Sequence, residues 1–186
     1  LLMTAAAFRP RRSVLYMPGA NERALEKAKT LPADAIIFDT EDSVAPDAKA
    51  VARANVAAAV GSDAYGRREL TIRVNSIDTE WFTDDIASAA AAGPSAVVVP
   101  KVSTVDDVHL VESRLEASNA PDHTMIWALL ETPSAVEHAG EIAAASGRLT
   151  VLVVGTNDLA KELRAGLVPG RHPLLWGLGR CVNAAR

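Results

Sequence analysis

The chain has 186 residues, 49% of them apolar, which is enough for one domain with a sizeable core. A formal net charge of −4 excludes a broad basic surface for nucleic acid, and no apolar run approaches the roughly 20 residues of a membrane span. The single cysteine, Cys181, excludes an intrachain disulfide framework and fits a reducing cytoplasm; with no activating neighbour in sequence it reads as a buried, inert thiol.

Leu1–Ala7 is too short and too poor in leading charge for a secretory signal, and Met3 reads as the natural start. Residues 1–10 are taken as a tail and 11–186 as one domain. Arg9-Pro10-Arg11-Arg12 is a local basic run, read as a solvated tail, though its charge suits a phosphate. From there strands and helices alternate. Ser13–Met17 is the first strand, and Asn21 caps a helix over Glu22–Thr30. Ala35–Phe38 leads to a helix over Asp47–Val60, stopped by Gly61. Leu70–Val74 is followed by a helix over Thr83–Ala92, stopped by Gly93. Ala96–Val99 is followed by Ser103-Thr104, capping a helix over Val105–Ala117 that begins with Asp106-Asp107. Thr124–Leu130 is followed by Pro133, at a first helical position, and a helix over Ser134–Ser146 closed by Gly147. Thr150–Val154 is the last strand, with helical segments at Leu159–Arg164 and Leu174–Ala185 beyond it.

Six βα units in a row imply a parallel sheet with right-handed crossovers. Two architectures satisfy the pattern, an open doubly wound sheet and a (β/α)₈ barrel of which six units are present. The first strand is followed by Pro18-Gly19-Ala20-Asn21, which is neither a dinucleotide-binding nor a P-loop fingerprint. Polar residues instead recur at the strand ends, the placement of barrel active sites, while the length is short of a typical barrel.

Glu131 and Asp158 stand just past two apolar strands, with Gly155-Thr156-Asn157 as a turn before the second. Both are also candidates to cap the helices that follow. As a pair without a Cys/His cluster they suit a hard cation such as Mg²⁺, completed by substrate and water. Asp39, Glu41 and Asp42 repel one another unless they face water or a cation, or unless one is protonated; a helix-start acid cluster is the plainer reading. Arg73, inside an apolar strand, must be paired, either with the carboxylate of a small acid or in a structural ion pair. Lys101 reads as a salt-bridge partner of nearby acids rather than a Schiff-base lysine. His109, His123, His138 and His172 lack metal-ligand spacing and read as surface or packing residues.

Taken in order, Arg11-Arg12-Ser13-Val14-Leu15-Tyr16-Met17-Pro18-Gly19, Phe38-Asp39-Thr40-Glu41-Asp42-Ser43-Val44, Ile72-Arg73-Val74-Asn75, Val99-Pro100-Lys101-Val102, Glu131-Thr132-Pro133 and Val154-Gly155-Thr156-Asn157-Asp158 resemble the citrate lyase beta-subunit-like branch of the aldolase/citrate lyase superfamily. The resemblance implies a (β/α)₈ barrel, a homotrimer or hexamer, and Mg²⁺ held by Glu131 and Asp158. It implies that Arg73 binds the carboxylate of the acid substrate, that Glu41 and Asp42 hold metal-bound waters, and that Arg12 serves the CoA side. The Gly155-Thr156-Asn157 amides and the turn at Thr132-Pro133 would hydrogen-bond a keto acid. The implied reaction is carbon–carbon cleavage of a 3-hydroxyacyl-CoA such as malyl-, citramalyl- or citryl-CoA, with thioester hydrolysis as a second activity. No membrane or nucleic-acid partner is expected. A class II aldolase acting on free hydroxy-keto acids, and a truncated homologue that is inactive or partner-dependent, are the competing readings. The resemblance weakens over Pro169–Arg180, and the segments expected to supply strands seven and eight and a C-terminal lid are absent from the sequence.

Overall fold

The computed structural model describes residues 9–186; the tail reading of residues 1–8 lies outside it. Six strands, β1 (Val14–Pro18), β2 (Ala35–Asp39), β3 (Glu69–Arg73), β4 (Ala96–Val99), β5 (Met125–Leu130) and β6 (Leu149–Val154), form one parallel sheet in the order β1-β2-β3-β4-β5-β6. The intervening helices are α1 (Glu22–Ala28), α2 (Lys49–Val60), α3 (Phe82–Ala92) and α4 (Val105–Ala117), then α5 (Pro133–Glu137), α6 (Ala139–Ala143), α7 (Thr156–Glu162) and α8 (Leu175–Ala184).

The sequential strand order decides between the two architectures. A doubly wound sheet reverses direction at a switch point and carries helices on both faces. Here strand neighbours are chain neighbours throughout, so right-handed crossovers put every helix on one face. The packing agrees. Ile36, Phe38, Ile72, Val97, Val99, Ile126, Ala128 and Leu130 face outward into a core shared with helix residues such as Val56, Ile86, Val111 and Ile142. The alternate residues Ala35, Ile37, Ala96, Val98, Trp127 and Leu129 form a second cluster built only of strand side chains. That is the interior of a barrel-type sheet. The near-continuous apolar runs of β2, β4 and β5 follow from burial on both faces, each fully buried Ile or Leu contributing about 1.5–3 kcal/mol.

Local chemistry sets the helix ends. Asn21 accepts from the Ala24 amide, and Thr104 and Asp107 make a reciprocal capping box on α4. Gly93, at φ 65°, ends α3 in the left-handed region. The largest departures from the expected helix boundaries lie in the last third of the chain. The single helix expected over Ser134–Ser146 is broken at His138, whose ring Nδ1 lies 2.9 Å from the Ser134 carbonyl oxygen and whose backbone leaves helical geometry. The second piece ends at Ala143, so Gly147 lies in the turn before β6 and does not cap a helix. Asp158 is not beyond a loop: α7 starts at Thr156, and Asp158 sits in its first turn. Among the described residues, no helix is long and apolar enough to cross a membrane.

Candidate active site

The period of two along each strand places the site. Asp39 continues the inward row Ala35-Ile37, Glu131 continues Trp127-Leu129, and Gly155 continues Val151-Val153. Pro18, Asp39 and Arg73 are paired positions at the C-terminal ends of β1–β3, and the pairing of Leu130 with Val154 puts Glu131 and Gly155 one residue further on. The inward-facing end layer is therefore polar. It opens into a cavity of about 290 Å³ lined by Tyr16, Asp42, Arg73, Glu131, Gly155, Thr156, Asn157 and Asp158, with Leu129 and Val153 as part of its apolar wall.

Glu131 is buried, with 5% exposure. Its Oε2 accepts the Lys101 backbone N–H at 3.1 Å. That amide is aimed by Lys101 itself, a non-glycine residue at φ 57°, a conformation that costs of order 1–3 kcal/mol and persists only when its surroundings enforce it. Burial first, and then the neighbouring Asp158 and Glu41 charges, push the Glu131 carboxyl up to about 7 against the pull of the Lys101 amide. A carboxylate so poorly served by its own protein is one that a cation would stabilise. Among the described residues no three His, Cys, Asp or Glu side chains form a metal-binding group. The donor set on offer is thus the Glu131–Asp158 pair, which fits a hard cation that keeps waters or takes substrate oxygens for its remaining positions.

Gly155 makes this arrangement possible. A Cβ built there would come within 2.6 Å of Glu131 Cγ and closer still to Oε1. Gly155→Ala is expected to displace the Glu131 carboxylate and weaken Mg²⁺ binding about tenfold or more, with an overpacking cost of about 1–3 kcal/mol. Calorimetry and thermal melts check both; wild-type Mg²⁺ affinity would show that the carboxylate has room to move.

Arg73 is buried among acids. Its Nε and Nη2 donate to Asp39 Oδ1 and Oδ2 at 2.8 and 2.7 Å, a bidentate pair. Its Nη1 lies 2.7 Å from Glu41 Oε2 and donates to Asp42 Oδ2 at 3.3 Å. The Tyr16 ring covers the guanidinium with 5.0 Å between centres. Burial opposes the charge of Arg73, but the Asp39 hydrogen bonds and the Asp39 and Glu41 charges outweigh it and raise its pKa. Burial likewise works against ionised Asp39, and Arg73 overcomes it to hold that carboxyl below its ordinary range. Burial pushes Glu41 up despite Arg73. Lys49, itself buried, donates to the Thr40 and Glu41 carbonyls at 2.9 and 2.8 Å and so fixes the loop that carries Glu41 and Asp42.

The structure brings together most of the residues singled out in sequence, with five differences. The Asp39–Glu41–Asp42 cluster and Arg73 are one network, so the acids meet a guanidinium rather than open water. Arg12 does not reach this cavity: it precedes β1, at the opposite end of the sheet, and its Nε and Nη2 bind the Asp34 carboxylate at 3.1 and 2.8 Å. Thr132 does not line the cavity; its hydroxyl accepts the Ala135 amide as the cap of α5 and bonds Ser103. Of the three amides expected to serve a keto acid, that of Gly155 is taken by the Leu130 carbonyl, whereas those of Thr156 and Asn157 open α7, where the helix supplies no acceptor. Lys101 contributes through its backbone and forms no ion pair among the described residues. Tyr16 and Lys49 escaped the sequence reading, as did the pairing of Asp39 with Arg73. The one available signal was that Asp39 and Tyr16 share the inward parity of their strands.

The sequence matches the HpcH/HpaI aldolase/citrate lyase family over residues 12–186. It is 50% identical over 177 residues to a (3S)-malyl-CoA thioesterase of Cereibacter sphaeroides, covering 95% of this chain and 60% of that protein. It is 37% identical over 183 residues to citrate lyase subunit beta of Escherichia coli, covering 96% and 61%. The chain thus spans about three fifths of the length of these curated relatives. Its fold is similar to that of a Mycobacterium tuberculosis citrate lyase beta subunit complexed with oxaloacetate and magnesium, at a TM-score of 0.74 and 24% identity, covering 92% of this chain and 72% of the other.

Proposed function

The chain belongs to the HpcH/HpaI aldolase/citrate lyase family, and from that premise we propose that it acts on the CoA thioester of a 3-hydroxy acid of the malyl type as a Mg²⁺-dependent carbon–carbon lyase. The observation that carries this reading is the meeting of an acid pair, Glu131 and Asp158, with a guanidinium, Arg73, around one cavity at the C-terminal ends of the strands. Glu131 and Asp158 would hold the cation, which when bound supplies Lewis-acid polarisation of the substrate oxygen at the bond to be cleaved.

The protein's own groups do the positioning. Arg73 offers Nη1 towards the cavity, where Asp42 is its longest and most exposed partner. A substrate carboxylate would take the place of Asp42 there, while Asp39 keeps the guanidinium plane fixed. Thr156 and Asn157 line the same cavity, and their amides, unused within α7, would be donors for a second substrate oxygen. Leu129 and Val153 supply apolar lining to the same cavity. Cleavage requires loss of the 3-hydroxyl proton, flow of the carbon–carbon electron pair into the thioester, and return of a proton to the enolate carbon.

Thioester hydrolysis is a second reading, favoured by the 50% identity to a malyl-CoA thioesterase. Product analysis separates the two. With (3S)-malyl-CoA and Mg²⁺, cleavage yields acetyl-CoA and glyoxylate, whereas hydrolysis yields free CoA and malate. Turnover of free hydroxy-keto acids but of no CoA thioester would overturn both.

A further inference from the structure

The site at the C-terminal strand ends leaves an arginine cluster at the other end of the sheet unused. Arg9, Arg11 and Arg12 precede β1, Asp34 precedes β2, and Arg67 and Arg68 precede β3. Arg11 is spoken for: it pairs with buried Glu69 at 2.5 Å and lies over the Trp127 ring, closing the bottom of the sheet's interior. The other four surround a cavity of about 440 Å³ whose one carboxylate is Asp34. That volume lies within the roughly 300–1,000 Å³ of small-molecule pockets.

Three of these four guanidinium groups are held in place. Arg68 donates through Nε and Nη2 to the Leu31 carbonyl at 2.9 and 2.5 Å, and through Nη1 to the Tyr65 carbonyl at 2.8 Å. Its acceptors are neutral, so it is fixed with its charge uncompensated. Arg9 Nη2 donates to the Arg67 carbonyl at 2.6 Å, and Arg12 is clamped on Asp34. Arg67 is exposed and makes no side-chain hydrogen bond or ion pair among the described residues. Five arginines thus face two carboxylates, Asp34 and Glu69, leaving three positive charges in excess in a chain whose formal net charge is −4. Gathering like charges in one concavity is unfavourable unless an anion joins them. Guanidinium forks match phosphate oxygens bidentately.

We propose that this cavity is a binding site for a small anion carrying two or more adjacent phosphates. The excess charge matches a pyrophosphate unit better than a single carboxylate. A nucleic acid is disfavoured because the chain carries a net charge of −4 and the nearby aromatic, Trp127, is buried beneath Arg11. The site lies at the other end of the strands from Glu131 and Asp158 and does not depend on the chemistry proposed there.

The test is isothermal titration of the full chain with inorganic tripolyphosphate, at low ionic strength and with EDTA present to silence any cation site. Saturable binding of one anion per chain is expected, weakening as salt is added. Arg67→Glu should reduce affinity about tenfold or more while leaving the ligand-free melting temperature unchanged, since its side chain supports nothing else. Arg9→Glu is the second variant and should weaken affinity alike, with some loss of ligand-free stability because Arg9 also donates to the Arg67 carbonyl and lies 3.8 Å from Glu69. ATP, ADP and CoA titrated in parallel identify the source: tighter binding than tripolyphosphate with the same Arg67 dependence means a nucleotide's phosphates, and equal binding means the phosphates alone. Absence of saturable binding by every one of these anions, binding indifferent to both charge reversals, or binding of oligonucleotide alone would overturn the proposal.

Discussion

Glu131→Gln will abolish Mg²⁺ binding and at the same time make the metal-free fold more stable at about pH 8. Both effects have one origin, the burial of a carboxylate that its own protein serves poorly. The Glu131 carboxyl titrates at about 7 in the fold against an ordinary 4.5. Below the ordinary value it is neutral folded and unfolded, and contributes no difference. Between the two values the folded chain keeps a proton that the unfolded chain has lost, so stability falls as pH rises through this window. Above about 7 both states are ionised, and the folded state carries the whole cost, about 3 kcal/mol at ~1.4 kcal/mol per unit. Glutamine has the same shape and no charge to bury. Thermal melts of metal-free protein from about pH 5 to pH 8 should therefore slope downward for the wild type and less so for the variant, with a gap of several degrees at the alkaline end. Added Mg²⁺ should raise the wild-type melting temperature and leave the variant's unmoved, by the linkage between binding and folding. Wild-type Mg²⁺ affinity in Glu131→Gln would remove Glu131 from the site. Parallel pH slopes would remove its burial as a cost.

How much of this was readable in the sequence depends on how local each signal is. Strand boundaries came within a residue because the strands are short apolar runs ended by turn residues, most completely so in β2, β4 and β5, which are buried on both faces. Architecture was open between two folds, since alternation alone does not reveal strand order; the sequential pairing and the strand-only inner cluster decide it. That Glu131 directly follows β5 and Asp158 lies shortly after β6 was legible because a strand end is a local feature, whereas the placing of Asp158 inside the first turn of α7 was not. Asp39 and Arg73 were both noticed, yet their pairing was not, because it depends on register between strands 34 residues apart in sequence. The left-handed backbone of Lys101 had no signal at all, since nothing about a lysine marks a positive φ. Arg12 is instructive in the other direction. A residue preceding a strand of a parallel sheet belongs to the N-terminal rim by chain polarity, and that simple rule places it better than the family resemblance did.

The second large effect is expected at Arg73. Arg73→Met removes the one guanidinium that compensates Asp39 and Glu41, with 2% and 9% exposure, and leaves their carboxylates in a dry layer beneath Tyr16. Breaking a buried ion pair from one side costs about 3–5 kcal/mol because the surviving charge is stranded. The sign of the pH dependence identifies the cause. In the wild type Arg73 holds Asp39 below its ordinary 3.8, so that stabilisation is present above this value and is lost as pH falls through the lower, folded one. In Arg73→Met the stranded carboxylates prefer to be protonated, so the deficit should be largest near neutrality and shrink as acid is added. Denaturant unfolding at about pH 7 and about pH 5 measures this directly. Arg73→Lys keeps a charge but lacks the fork that grips both Asp39 oxygens, and should fall between the two. Asp42→Asn should change stability by less than about 1 kcal/mol, because the Asp42 side chain is 67% exposed and its contact with Nη1 is long. An Arg73→Met protein that unfolds at the wild-type denaturant concentration would mean that water reaches Asp39 and Glu41 and that the network is not sealed. If it also lost turnover, Arg73 would then have to act on the substrate alone. A large loss of stability together with retained turnover would exclude the substrate contact and leave Arg73 as the internal counter-ion of the acid cluster.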